Sequence, residues 1–180
     1  MTPRELAEYR ALRATIRERG SQRVWLLLAT LVAWAAATIA TAALAALPVA
    51  TLLPLLLLAA GFEAVVQLHT AVERIGRYLQ VFYDEAEASP RDWERAIFAY
   101  GRTYGPAHPL ASDPLFSVYF ALAGVLNFVP VILAEPVQLE VAVVGTVHLF
   151  FVARILVARR AAARQRATDM ERFQQIRSAT

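Results

Sequence analysis

Few side chains in this sequence could carry chemistry, and the two that are hardest to place are Glu63 and His148, each inside a long apolar run. A carboxylate and an imidazole meeting in a low-dielectric interior could relay a proton or line an ion path. With Gln67, four residues further along the helix of Glu63, and Asn127, in an apolar run of its own, they could instead hydrogen-bond across packed helices and hold them together. A charge at the centre of a hydrocarbon layer costs about 2.5 to 3.5 kcal/mol, so Glu63 is expected to face protein or water, or to be protonated. Counted from the ends of their runs, Glu63 lies about eight positions deep, roughly 12 Å, and His148 about nine, a match that allows contact.

Gln67, Thr70, Arg74 and Arg77 follow Glu63 at spacings of four, seven, eleven and fourteen, the repeat of one helix face. That polar stripe could line a wet path. Interhelical hydrogen bonding is the plainer reading of Glu63, Gln67, Asn127 and His148, and conduction is the alternative.

Other chemistries find no support. With no cysteine there is no disulfide, thiolate metal site or cysteine nucleophile. Glu63 and His69 are six apart, on separated faces of one helix, and no H-E-x-x-H pattern offers a metal pair. His69 and His148 differ in depth by roughly 10 Å, too far to share a haem. His108 sits in a proline-flanked loop, Gly101 and Gly105 punctuate an aromatic stretch, and neither a nucleophile elbow nor a phosphate-binding glycine motif is present. No catalytic, cofactor or metal site is expected.

The elements that must hold these residues follow from composition. Of 180 residues 58% are hydrophobic, and they are blocked into long runs from Val24 to Phe62, Pro114 to Ala134 and Val141 to Val152. Such blocking suits lipid as the solvent. Four spans are expected, near 24–47, 52–71, 114–133 and 136–157, punctuated by Pro48, Pro54, Asp113-Pro114 and Glu135-Pro136. The first run is longer than the roughly 7 to 15 residues of a signal-peptide core, and further spans follow it. Among its alanines, Thr30, Thr38 and Thr41 allow close helix approach.

All eighteen basic residues are arginine: six precede the first span, five lie between the second and third, seven run from Arg154 onward, and none falls in the two remaining connections. The positive-inside rule makes the arginine side cytoplasmic, with both termini inside the plasma (inner) membrane. The arginines flank apolar spans and form no compact basic domain, so the formal charge of +3 points to membrane topology and not to nucleic acid.

Outside the spans, Thr2-Pro3-Arg4-Glu5 reads as a capping box opening an amphipathic helix over 1–23, with Leu6, Tyr9, Leu12 and Ile16 on one face and an end near Gly20-Ser21. In 72–113, Val72, Ile75, Leu79, Phe82 and Ala86 form a packed seam in steps of three and four. Glu73 and Arg77 make an i,i+4 pair, and Ile75, Arg77, Tyr78, Leu79, Phe82 and Tyr83 form a candidate interaction surface. Ser89-Pro90-Arg91-Asp92 starts a short helix bearing Trp93, Ile97, Tyr100 and Tyr104. The fourth helix continues through 158–180 with Met170, Phe173 and Ile176 as an apolar stripe.

The expected fold class is all-α: a polytopic four-transmembrane-helix bundle, with hairpins over 24–71 and 114–157 and cytoplasmic helical extensions. The expected function is that of a small membrane scaffold or accessory protein that self-associates or binds a protein partner through its cytoplasmic helices. The alternative is an oligomeric ion or proton channel with Glu63 and His148 in its path. Four helices enclose no wide pore, so that reading requires several copies.

Overall fold

The computed structural model describes residues 1–44, 47–83, 103, 113–134 and 137–179. Four helices account for nearly all of them: α1 (Pro3–Leu44), α2 (Leu52–Phe82), α3 (Ser117–Leu133) and α4 (Gln138–Ala179), with a one-turn 3-10 helix, Pro48–Thr51, leading into α2. Three of these, α1, α2 together with its 3-10 turn, and α4, are long and apolar enough to cross a membrane. The 17 residues of α3 are as apolar but reach only about 25 Å. The short helix expected from Ser89, with Trp93, Ile97, Tyr100 and Tyr104, lies outside the described residues, as do His108, Gly101 and Gly105.

α1 begins at the expected capping box. The Thr2 amide donates to the Glu5 carboxylate at 2.7 Å and the Glu5 amide to the Thr2 hydroxyl at 3.3 Å. It does not end at Gly20-Ser21 but continues unbroken to Leu44. A glycine inside a helix costs only about 1 kcal/mol relative to alanine, and packing of α1 along α2 on both sides of Gly20 offsets it. Ser21 bonds back to the carbonyl of Arg17 at 3.2 Å, as a mid-helix serine does.

α3 starts three residues later than Asp113-Pro114 suggests. Asp113 still acts as its cap, accepting from the Leu115 and Val118 amides at 3.3 Å and from the Ser117 hydroxyl at 3.1 Å. The intervening turn passes through Phe116 at φ 52°, a left-handed conformation that phenylalanine rarely adopts. Burial of Leu115 and packing of Phe116 on the core offset that strain.

α2 is the central helix, in contact with α1, α3 and α4, whereas α1 and α4 do not pack on each other among the described residues. α1 runs antiparallel to α2: Tyr9 lies beside Tyr83, Arg23 beside His69 and Thr30 beside Gly61. α4 runs parallel to α2, since its cross-helix bonds join residues 91, 92 and 96 apart. The shared core is Leu55, Leu58, Phe62 and Val65 of α2 with Leu27, Phe120, Ala123, Phe151 and Ile155. Phe62 meets Phe120 and Phe151 edge-on at centroid distances of 5.2 and 6.3 Å. Outward, Leu56, Val32, Leu122 and Phe150 stand among many largely exposed apolar side chains, far more than a water-facing surface carries.

Candidate functional site

The polar residues of the apolar belt separate into two clusters. The first is centred on Asn127, which is completely buried. Its amide nitrogen donates to the Thr51 carbonyl at 2.9 Å and faces His148 Nε2 at 3.0 Å, and its oxygen accepts from Trp34 Nε1 at 3.0 Å. His148 Nδ1 lies 2.8 Å from the carbonyl of Val144, which can only accept. The proton therefore sits on Nδ1, Nε2 accepts from Asn127, and the amide orientation is fixed by its partners. With a neutral imidazole every donor meets an acceptor. The cluster ties α1, the 3-10 turn, α3 and α4 at one point, and the Phe128 ring closes over His148 at 5.1 Å.

The second cluster faces outward. Glu63 is bonded to Arg154 NH2 at 2.7 Å, and the two side chains are 43% and 42% exposed. Glu63 and His148 are thus not brought together. The α2–α4 register places Arg154 beside Glu63, and His148 lies six residues earlier on α4, about 9 Å along the axis. Depths counted from assumed span ends carried that error. Gln67 and Arg74 continue the exposed face below Glu63, Thr70 is half-buried, and Arg77 has turned inside. A helix drifts about 20° per heptad from a seven-residue repeat, and two heptads separate Glu63 from Arg77.

At the arginine end α1, α2 and α4 extend together as a three-helix rod. Arg77 donates to Asp169 at 2.7 Å and to Glu73 at 2.9 Å, with Arg77 and Asp169 side chains only 6% and 7% exposed. Arg77 Nε is buried without a partner among the described residues, so the pair is tight but incompletely satisfied. Tyr78 stacks with Phe82 at 4.9 Å and meets Phe173 at 5.9 Å, while its hydroxyl donates to Glu8 at 3.1 Å. Burial, then this bond and the Glu8 charge, push the Tyr78 phenol up to about 12. Tyr83 packs on Tyr9 at 5.7 Å and shifts upward too, by burial first and then Glu8. Leu79 is buried and Ile75 half-buried. Of the residues read from sequence as an interaction surface, Arg77 and Leu79 are therefore buried in the chain's own rod, and Ile75, Tyr78, Phe82 and Tyr83 are half-buried.

Where rod meets belt, Arg23 NH1 lies 3.0 Å from His69 Nδ1 and 3.4 Å from the Pro114 carbonyl. Burial lowers the Arg23 pKa, and Glu73 opposes the shift. An open cavity of about 420 Å³ lies beside it, lined by His69, Glu73, Arg77, Asp113 and Arg159 among others. Its two carboxylates balance its two guanidinium groups. No group of three potential metal ligands occurs among the described residues.

Sequence reasoning missed Trp34, Thr51, Arg154 and Asp169. Trp34 and Asp169 carried a signal, an indole within an alanine-rich span and an acid within an arginine-rich helix; Thr51 acts through its backbone carbonyl, which no side-chain pattern reveals. No protein-family model matches the chain, and neither a curated protein nor a solved structure matches it.

Proposed function

We propose that this chain is a four-span membrane protein, with its arginine end and both termini in the cytoplasm, that works by association as a scaffold or accessory subunit. The observation that carries this reading is that α1, α2 and α4 continue unbroken from the apolar belt into a rod in which α1 and α4 are each tied to α2 by side chains. A rod of that kind holds its outer residues in fixed positions relative to the membrane, which is what a docking element requires. Among its exposed charges, arginines such as Arg10, Arg17, Arg164 and Arg172 outnumber the acids Glu5, Glu8, Glu18 and Glu171, so the partner surface it suits is acidic. The one-sided arginines support the orientation.

The test is reconstitution in vesicles, with association followed for the unaltered chain and for Arg17→Glu with Arg164→Glu. The reading expects the unaltered chain to associate with itself or with a co-purified membrane protein, and the charge reversal to weaken that association while leaving the chain folded. Folded protein that stays monomeric and alone at every protein-to-lipid ratio would sink it.

A conduction reading draws on one observation, the outward face of Glu63 and Gln67, which would line a path only between copies. It expects vesicles to pass ions or protons and Glu63→Gln to change the flux. His148 is engaged in the Asn127 cluster, away from that face.

A further inference from the structure

We infer that the α2–α4 face carrying the Glu63–Arg154 pair is the surface on which a second copy of this chain docks within the membrane. The inference rests on the membrane placement proposed above and adds to it the partner and the contact. Glu63 and Arg154 lie side by side at one depth, bonded at 2.7 Å, yet more than two-fifths of each side chain remains uncovered. Gln67 stands exposed one turn further along the same stripe. Hydrocarbon against such groups is unfavourable, because lipid tails offer neither donor nor acceptor.

The face is complementary to itself. Two copies inserted the same way are related by an axis along the membrane normal, which keeps every residue at its own depth. Such an axis between α2 and α4 brings Glu63 of each copy against Arg154 of the other, so that each carboxylate meets two guanidinium groups and each guanidinium two carboxylates. The surroundings suit close approach. Ala60 and Ala64 flank Glu63 with small side chains, and Leu56 (64% exposed) and Phe150 (71%) supply apolar contact on the outer side. The inward cluster around Asn127 has no such need, since its groups are paired within one chain.

The absence of cysteine makes the test direct, because one introduced thiol reports one position. In phosphatidylcholine vesicles, the full chain carrying Ala60→Cys is expected to form a covalent dimer with a short bifunctional maleimide, which reaches between the two α2 helices across the axis where a direct disulfide would not, and the chain carrying Leu122→Cys, on the exposed side of α3, is not. Added to Ala60→Cys, either Glu63→Arg or Arg154→Glu should lower the crosslinked fraction about tenfold or more. Mixing the two charge variants should restore it as a heterodimer, since an all-positive face then meets an all-negative one. Should the charge variants fail to fold, Ala60→Phe keeps both charges and adds bulk on the surface; with Gln67→Cys as the reporter, it should abolish the dimer.

Equal crosslinking from α3 and α2 would overturn the inference, as would charge variants that do not complement on mixing. The latter is the result expected if the pair serves only one chain or if Arg154 binds a lipid headgroup. Rod variants that lose association while the Ala60→Cys dimer persists would instead count against the rod as the docking element and leave this face standing.

Discussion

Replacing Asn127 with leucine removes three hydrogen bonds at once, to Trp34, Thr51 and His148, with little change in side-chain volume. In a membrane the added apolar atoms gain nothing, because the unfolded reference already lies in hydrocarbon as apolar as leucine. Interhelical bonds in folded membrane proteins average about 0.6 kcal/mol and reach about 1.7, so three amount to roughly 2 to 5 kcal/mol. The Thr51 carbonyl lies at the start of α2, where it keeps a helical donor, which favours the lower figure even though Trp34 Nε1 and His148 Nε2 find no replacement partner among the described residues. About 2 kcal/mol is a factor of about 30 in the unfolding equilibrium. The measurement is reversible unfolding in mixed micelles followed by circular dichroism, with Trp34→Phe and the double variant completing a cycle. The cycle should show non-additivity, since both single changes delete one shared bond. An Asn127→Leu protein within about 0.5 kcal/mol of the unaltered chain, or a strictly additive cycle, would refute the view that this cluster holds the helices together.

Gly61→Ala places a methyl group into the Thr30 side chain of α1; both branches and Cβ of that threonine crowd the position, so rotation brings no relief and destabilisation of about 1 to 3 kcal/mol is expected, largely recovered by adding Thr30→Ala. Asp169→Leu leaves Arg77 buried with Glu73 alone, and because Glu73 remains, the loss should fall near the low end of the range for a broken buried pair, about 3 kcal/mol; Asp169→Leu with Arg77→Leu should unfold close to the unaltered chain, a comparison read by denaturant unfolding. Tyr78 has its folded pKa raised from the ordinary 10.0 to about 12, so its neutral form contributes stability that is complete below pH 10 and lost as the pH rises through 12. Phenolate absorbance should show a late-ionising tyrosine that vanishes in Tyr78→Phe; a titration complete near pH 10 would remove the burial argument.

The sequence was most informative where one physical rule dominates. The apolar blocks marked the helices α1, α2 and α4, the reciprocal Thr2 and Glu5 bonds were legible from residue types alone, and Asn127 and His148 were singled out because polar groups in apolar runs demand partners. Which partner each would find depended on register. A helix end misplaced by a few residues shifts every cross-helix pairing, and so depths counted from sequence allow a contact of Glu63 with His148, whereas the packing of Phe62 on Phe151 and of Gly124 on Phe151 sets Glu63 against Arg154. The same limit explains Gly20: whether a glycine ends a helix depends on what packs on either side, which lies far away in the chain.

The two ion pairs on α2 and α4 bear on how the molecule can move. Glu63–Arg154 and Arg77–Asp169 are separated by about four turns on each helix, and Arg177 bonds the Val81 carbonyl at 2.6 Å beyond them. A slide of α4 by one turn past α2 would break all three together and strand the buried Arg77 charge, the most costly of the losses. The same register locks Phe151 against Phe62 in the core. α2 and α4 therefore travel as one body from the apolar belt into the rod. A second copy docked on their outer face, as inferred above, would then fix the angle of the rod, and a partner gripping the rod would bias the same face in return, since the coupling between two sites on one rigid body is reciprocal.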